Sequence, residues 1–152
     1  MFSASFNALI LQGTYETFVM VFVASLIGVG VGLLLGVILF LTQKKQVLAN
    51  AWIHTSLGLF VNITRSIPFI IFLIAIVPIT KLIVGSTIGL AAAIVPLTLA
   101  AIPFYARIAE AAFDKIPTGL MDAALSMGTN HYQLIVKILI PEALPGLIQG
   151  AT

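Results

Sequence analysis

The residues capable of bond-making chemistry are few and scattered. Cysteine is absent, the histidines are His54 and His131, and the acids are Glu16, Glu110, Asp114, Asp122 and Glu142. They do not fall at the spacing a metal site requires, and no nucleophile has a base paired with it. No glycine-rich phosphate loop occurs, so ATP, if used, is handled by a different chain. This is not the sequence of an enzyme, and no cofactor is expected in it.

What the spacing does support is contact with a partner. Ile116-Pro117 should end a helix, because proline disfavours helical geometry in the residue before it. Thr118 can cap a new helix through its side-chain oxygen, and Asp122 then lies near the first turn, where the helix dipole favours negative charge. Ala123 and Ala124 are small, and Gly128 can supply the left-handed conformation that closes a helix. Asn130 and Gln133 have capping-box spacing. Leu134, Ile135, Ile138 and Leu139 give the next helix one apolar side, and Pro141 is expected to end it. Two short helices joined by glycine make a compact knob that can enter a groove on a soluble partner. A loop lying on the membrane surface is the other reading. His131 and Tyr132 at the tip are either a solvated pair or part of that contact, and His54 reads as an isolated interfacial histidine.

One charge sits within an apolar run. Arg65 would cost about 2.5 to 3.5 kcal/mol at a helix centre facing lipid. It can snorkel to the interface, or it serves gating or a subunit contact. Pro68, Pro78, Pro96 and Pro103 free backbone carbonyls and permit kinks.

The elements that position these residues are membrane-spanning. Hydrophobic residues are 61 % and charged residues 8 % of the 152, against about half and about a quarter in soluble domains. Twelve charges (seven basic and five acidic) cannot cover a globule of this size, and a net charge of +2 gives no reason to expect nucleic acid. The partner implied is the lipid membrane. A first apolar run covers residues 17–41, roughly 37 Å of helix against a hydrocarbon core of about 30 Å. Only Glu16 is charged ahead of Lys44, so a cleaved signal is not expected. Further runs cover about 57–80 and 88–106, a charged loop about 107–141, and residues 142–152 begin a fourth helix. All belong to one domain, 1–152. Lys44, Lys45, Arg107, Lys115 and Lys137 fall on one side and Lys81 on the other, which predicts an outside N-terminus and a cytoplasmic loop.

Ala24, Gly28, Gly32 and Gly36 recur every four residues and form a narrow stripe of small side chains. Packing within the subunit, a homodimer seam and a pore lining all remain open for it.

Asp122-Ala123-Ala124, three residues, Gly128, nine residues, then Ile138-Leu139-Ile140-Pro141 resembles the EAA loop of ATP-binding-cassette importer permeases. That family's pattern is Glu-Ala-Ala, three residues, Gly, nine residues, Ile, any residue, Leu, Pro. Asp122 replaces Glu and Ile140 replaces Leu, and both keep the chemistry. His131 stands where related permeases often have proline. Residues 65–69 (Arg-Ser-Ile-Pro-Phe), 88–98 and 141–147 are similar to the methionine-uptake branch, and the resemblance runs from about Gly13 onward.

The resemblance implies an all-α bundle of the type I importer class in a bacterial inner membrane. Two copies would line the path, ATPase subunits carrying ATP and magnesium would dock on the loops, and an extracellular or periplasmic binding protein would deliver an amino acid, methionine first. It assigns ATPase coupling to Asp122, Ala123, Ala124, Gly128, His131, Tyr132, Ile138 and Pro141. Such permeases usually have five transmembrane helices, so the chain is expected to be truncated at its C-terminus and not to assemble a working transporter. The alternatives are a permease for another amino acid, or a fragment of a secondary transporter or channel. Ion-coupled carriers usually keep ionisable groups near mid-membrane, and the apolar runs hold no Asp or Glu beyond Glu16 at the margin.

Overall fold

The computed structural model describes residues 2–44 and 46–151, with side chains from Phe6 onward. Met1 and Thr152, the ends of the predicted domain, and Lys45, counted in the charge asymmetry, lie outside the described residues. The described residues are helical and turn; no strand occurs among them.

Helix α1 covers Phe2–Leu41, about 60 Å at about 1.5 Å per residue. It begins fifteen residues before the predicted start at 17, because its polar side chains bond within the helix. Thr14 and Thr17 hydroxyls donate to the carbonyls of Ile10 (2.8 Å) and Gly13 (2.7 Å), and the Gln12 amide donates to Glu16 (2.9 Å). Hydropathy sees these residues as an end, but the backbone does not. After Leu41 the chain doubles back, and the Asn50 amide side chain accepts from Trp52 N (3.1 Å) and Ile53 N (3.2 Å) to cap α2, Ala51–Ser66.

The run predicted as one helix over 57–80 is two. Helix α2 and α3, Phe69–Val84, meet at 112°. The cause is Pro68, which holds Ile67 in an extended conformation (φ −79°, ψ 126°). Gly85 ends α3 in the left-handed region (φ 78°) with its N–H on Lys81 O. Helix α4, Leu90–Phe113, carries the apolar run over 88–106 on through Arg107 and Glu110, close to the helix end expected at Ile116-Pro117, and takes in Pro96 and Pro103.

Three further expectations need correction. Thr118 does not cap α5, Thr118–Ser126; Pro117 holds that position and no side chain caps it. Asp122 is the fifth residue of α5 and so lies beyond the first turn. Pro141 does not end a helix. A turn of α-helix (α6, His131–Gln133), a π-helical stretch (Leu134–Leu139) and α7 (Ile140–Ala151) run on continuously. The wider turn pairs the Ile140 N–H with Ile135 O, five residues back. Pro141, which has no N–H, comes where the ladder changes register. The predicted fourth helix is thus continuous with the second helix of the loop.

The core joins α1, α4 and α7. Phe40 and Phe113 meet at a tilt of 48° with ring centres 5.6 Å apart, and Val37, Leu41, Ala109, Leu139, Ala143 and Leu147 close around them. The buried Tyr105 hydroxyl donates to Leu147 O at 2.9 Å. The outer faces stay apolar: Phe18, Phe22, Leu26, Ile70 and Leu82 are all exposed. By length and composition, Phe6–Leu41, Leu90–Phe113 and His131–Ala151 are each fit to cross a bilayer, with the bent α2–α3 pair as a fourth.

Candidate functional site

The loop between α4 and α7 is a closed unit with an inner and an outer side. At the end of α5, Gly128 is left-handed (φ +82°). Its N–H donates to Leu125 O (3.0 Å), and Thr129 N donates to Ala124 O (3.2 Å). These two bonds make a Schellman closure. The Thr129 hydroxyl donates to the same Ala124 carbonyl. Directly after it, Gln133 N donates to the Asn130 side chain (2.8 Å), and Asn130 N returns to the Gln133 side chain (3.4 Å). One helix end and one helix start are therefore satisfied within six residues, and the turn between them has little freedom.

Burial divides the residues expected to touch a partner. Ala124 is 2 % exposed and packs with Met121, Leu134 and Leu139 in the core that continues to Phe113. It holds the knob together and faces inward. Ile138 is half-buried against the same core. Asp122, Ala123, Gly128, His131, Tyr132 and Pro141 are exposed. Met127, which sequence reasoning passed over, is the most exposed large apolar side chain on this face at 80 %, with Tyr132 at 71 %. An apolar residue immediately before the closing glycine was the available signal.

The stripe of small residues lies against α4. A Cβ on Gly28 would stand 2.6 Å from Ala101 Cβ; on Gly32, 2.8 Å from Ile102 O; on Gly36, 2.6 Å from Ala109 Cβ and 2.8 Å from Ala106 O. Glycine is required because backbone and Cβ atoms of α4 fill the space a side chain would need.

A polar node, also unforeseen, ties three elements together beside this seam. Arg107 on α4 donates to Gly58 O (2.9 Å) and Asn62 Oδ1 (3.1 Å) on α2 and pairs with Glu110 Oε2 at 2.5 Å. Glu110 is 5 % exposed, and its other oxygen accepts from Gln43 after α1 (3.2 Å). Both lie in the helix that Ile116-Pro117 is expected to end, and opposite charges three apart suit a helical pair. Nearby, His54 Nδ1 contacts Leu39 O at 3.1 Å, linking α2 to α1.

Arg65 and Pro68 flank the bend between α2 and α3. The Arg65 guanidinium stands 5.6 Å from the centre of the Phe104 ring, and Pro68 occupies the N-cap of α3. No three His, Asp or Glu side chains converge among the described residues.

Residues 28–152 match the family model described as binding-protein-dependent transport system inner membrane component. The chain is 49 % identical over 144 residues to the D-methionine transport system permease protein MetI of Escherichia coli K12, covering 95 % of this chain and 66 % of that protein. The probable D-methionine transport system permease protein MetI of Vibrio cholerae is 50 % identical, over 95 % of this chain and 64 % of its own. The chain thus spans just under two thirds of these relatives' length. Among solved structures, an inward-facing MetNI methionine ABC transporter superposes with a TM-score of 0.95 at 48 % identity, over 98 % of this chain and 69 % of its own. An amino acid ABC transporter with histidines gives a TM-score of 0.72 at 20 % identity, over 97 % of this chain and 65 % of its own, a likeness of fold.

Proposed function

The chain belongs to the family of binding-protein-dependent transport system inner membrane components, and from that premise we propose that it is the membrane-spanning permease subunit of an ATP-driven methionine importer. One observation carries the reading beyond likeness. The pattern over 122–141 folds into a rigid turn that keeps Ala124 inside and presents Asp122, Ala123, Met127, Gly128, His131 and Tyr132 outward.

In this reading ATP and magnesium are held by separate ATPase subunits, and the exposed face of the loop docks on them. A second copy of the chain completes the path, and an extracellular or periplasmic binding protein delivers the substrate. The chain sits in a bacterial inner membrane with its N-terminus outside and the loop in the cytoplasm. Closure of the ATPase pair displaces the loop. The displacement passes into α4, which ends at Phe113 beside the loop's core, and from α4 through Arg107 to α2. Arg65 and Pro68 stand at the bend that this motion would alter. Methionine is favoured over other amino acids by the relatives' substrate.

The test is uptake of labelled methionine into membrane vesicles holding the full-length permease with its ATPase and binding protein. Uptake should require ATP inside and persist when ion gradients are collapsed. Uptake that follows a proton or sodium gradient without ATP would sink the reading.

A further inference from the structure

The bend between α2 and α3 holds a site distinct from the docking loop. Arg65 lies in the last turn of α2, over the Phe104 ring of α4. With Thr64, Ile67, Phe69, Phe72 and Ala100 they line an open groove of about 330 Å³. Counting from Leu90, Ala100 and Phe104 are the eleventh and fifteenth of the 24 residues of α4. With α4 across the bilayer, the groove opens near mid-membrane.

A guanidinium facing lipid at that depth costs about 2.5 to 3.5 kcal/mol. Among the described residues no carboxylate lies within ion-pairing distance of Arg65; Glu110 is engaged by Arg107. The Thr64 hydroxyl already donates to Phe60 O at 2.9 Å, which leaves the guanidinium as the groove's donor for an anion. Secondary transporters place substrate sites at breaks in spanning helices near the midplane, and the bend at Ile67 and Pro68 is a break of that kind. An unpaired cation there is suited to an anion that arrives and leaves.

We propose that this groove is a transient subsite for the transported amino acid, its carboxylate on the Arg65 guanidinium and its side chain among Phe69, Phe72 and Phe104. Guanidinium and carboxylate match as a two-point fork. Aromatic rings favour a thioether sulfur at about 5 Å, and the groove offers no acid to a cationic side chain. Beyond Arg65, a second open depression of about 450 Å³ carries the exposed Asp114, a carboxylate on the side open to the ammonium. The inference rests on the methionine reading above and adds to it the place where the substrate pauses.

The test uses the full-length permease carrying this sequence, bound to its ATPase in detergent, with photo-methionine as the probe. Irradiation should label peptides that hold Phe69, Phe72 or Phe104. Methionine should compete, and methioninol, which lacks the carboxylate, should not. Arg65→Gln should lower the labelling about tenfold, the scale of one lost charge-assisted hydrogen bond, and Arg65→Lys should recover much of it. The same preparation, reconstituted with the binding protein, reports uptake. If uptake is intact but labelling lands elsewhere, or Arg65→Gln labels like the parent, the groove is overturned and the importer reading stands. A parent that takes up no methionine overturns both.

Discussion

Substitution at Gly128 isolates the docking loop from the rest of the molecule. Its φ of +82° lies where only glycine is comfortable, and nothing stands within 4 Å of the place a Cβ would occupy. The penalty for a side chain is therefore one of backbone conformation and contains no clash. For an L residue it is about 1 to 2 kcal/mol, enough to lower the closed-to-open ratio of the turn about 5- to 30-fold. Asparagine tolerates this conformation and valine does not. Retention of ATPase on affinity-purified permease should rank Gly128→Asn near the parent, Gly128→Ala below it and Gly128→Val lowest. Uptake should follow the same order, while membrane levels stay equal because Gly128 touches no part of the bundle. Equal losses in all three variants would refute the conformational argument, and parental binding and uptake by Gly128→Val would remove the loop as the docking element. Ala124→Trp is a poorer probe, since a residue 2 % exposed in the knob's core changes folding and docking together.

Three other perturbations test other parts of the architecture. Gly36→Leu should lower thermal stability in detergent by at least about 1 to 3 kcal/mol, because its Cβ would meet Ala106 O at 2.8 Å. Gly30→Ala, in open space, should be silent in the same melt. Arg107→Ala leaves Glu110 buried without its cation and should approach the loss of about 3 to 5 kcal/mol expected for a broken buried pair. Arg107→Ala with Glu110→Gln should recover part of it, and a double-mutant cycle by denaturant melting reads the difference. A cysteine at Lys115, in a chain that has none of its own, should react with an impermeant maleimide in inverted vesicles and not in intact cells. The reverse would overturn the orientation.

How much could be read from the residues depended on whether the cause was local. The turn at 128–133 was legible in full, since a left-handed glycine and a capping box are decided by neighbours within six residues. The four-residue spacing of Ala24, Gly28, Gly32 and Gly36 announced a close approach, but not that α4 would be the partner. Hydropathy misjudged the start of α1 because Thr14 and Thr17 bond their own helix. It merged α2 and α3 because Pro68 marks a break without giving its angle. Arg107 and Glu110 read as part of a helix projecting beyond the bilayer, because charge suggests solvent, and only packing reveals that Gly58 leaves room for the guanidinium. At Pro141 the rule that proline stops a helix lost to a π turn, which no local signal announced.

The seam between α1 and α4 sets how the molecule can deform. Two rods in close approach at Gly28, Gly32 and Gly36, with little more than Cβ atoms of α4 between them, behave as one composite beam. Compliance must then reside in the cranked arm opposite, where Gly58 and Val61 on α2 and Thr80 on α3 are the buried residues. A load applied at Lys115 is carried along the stiff member nearly undiminished. In the proposed assembly it would flex the structure at the elbow of Ile67 and Pro68, so that stroke length at the ATPase would become angular opening at mid-bilayer.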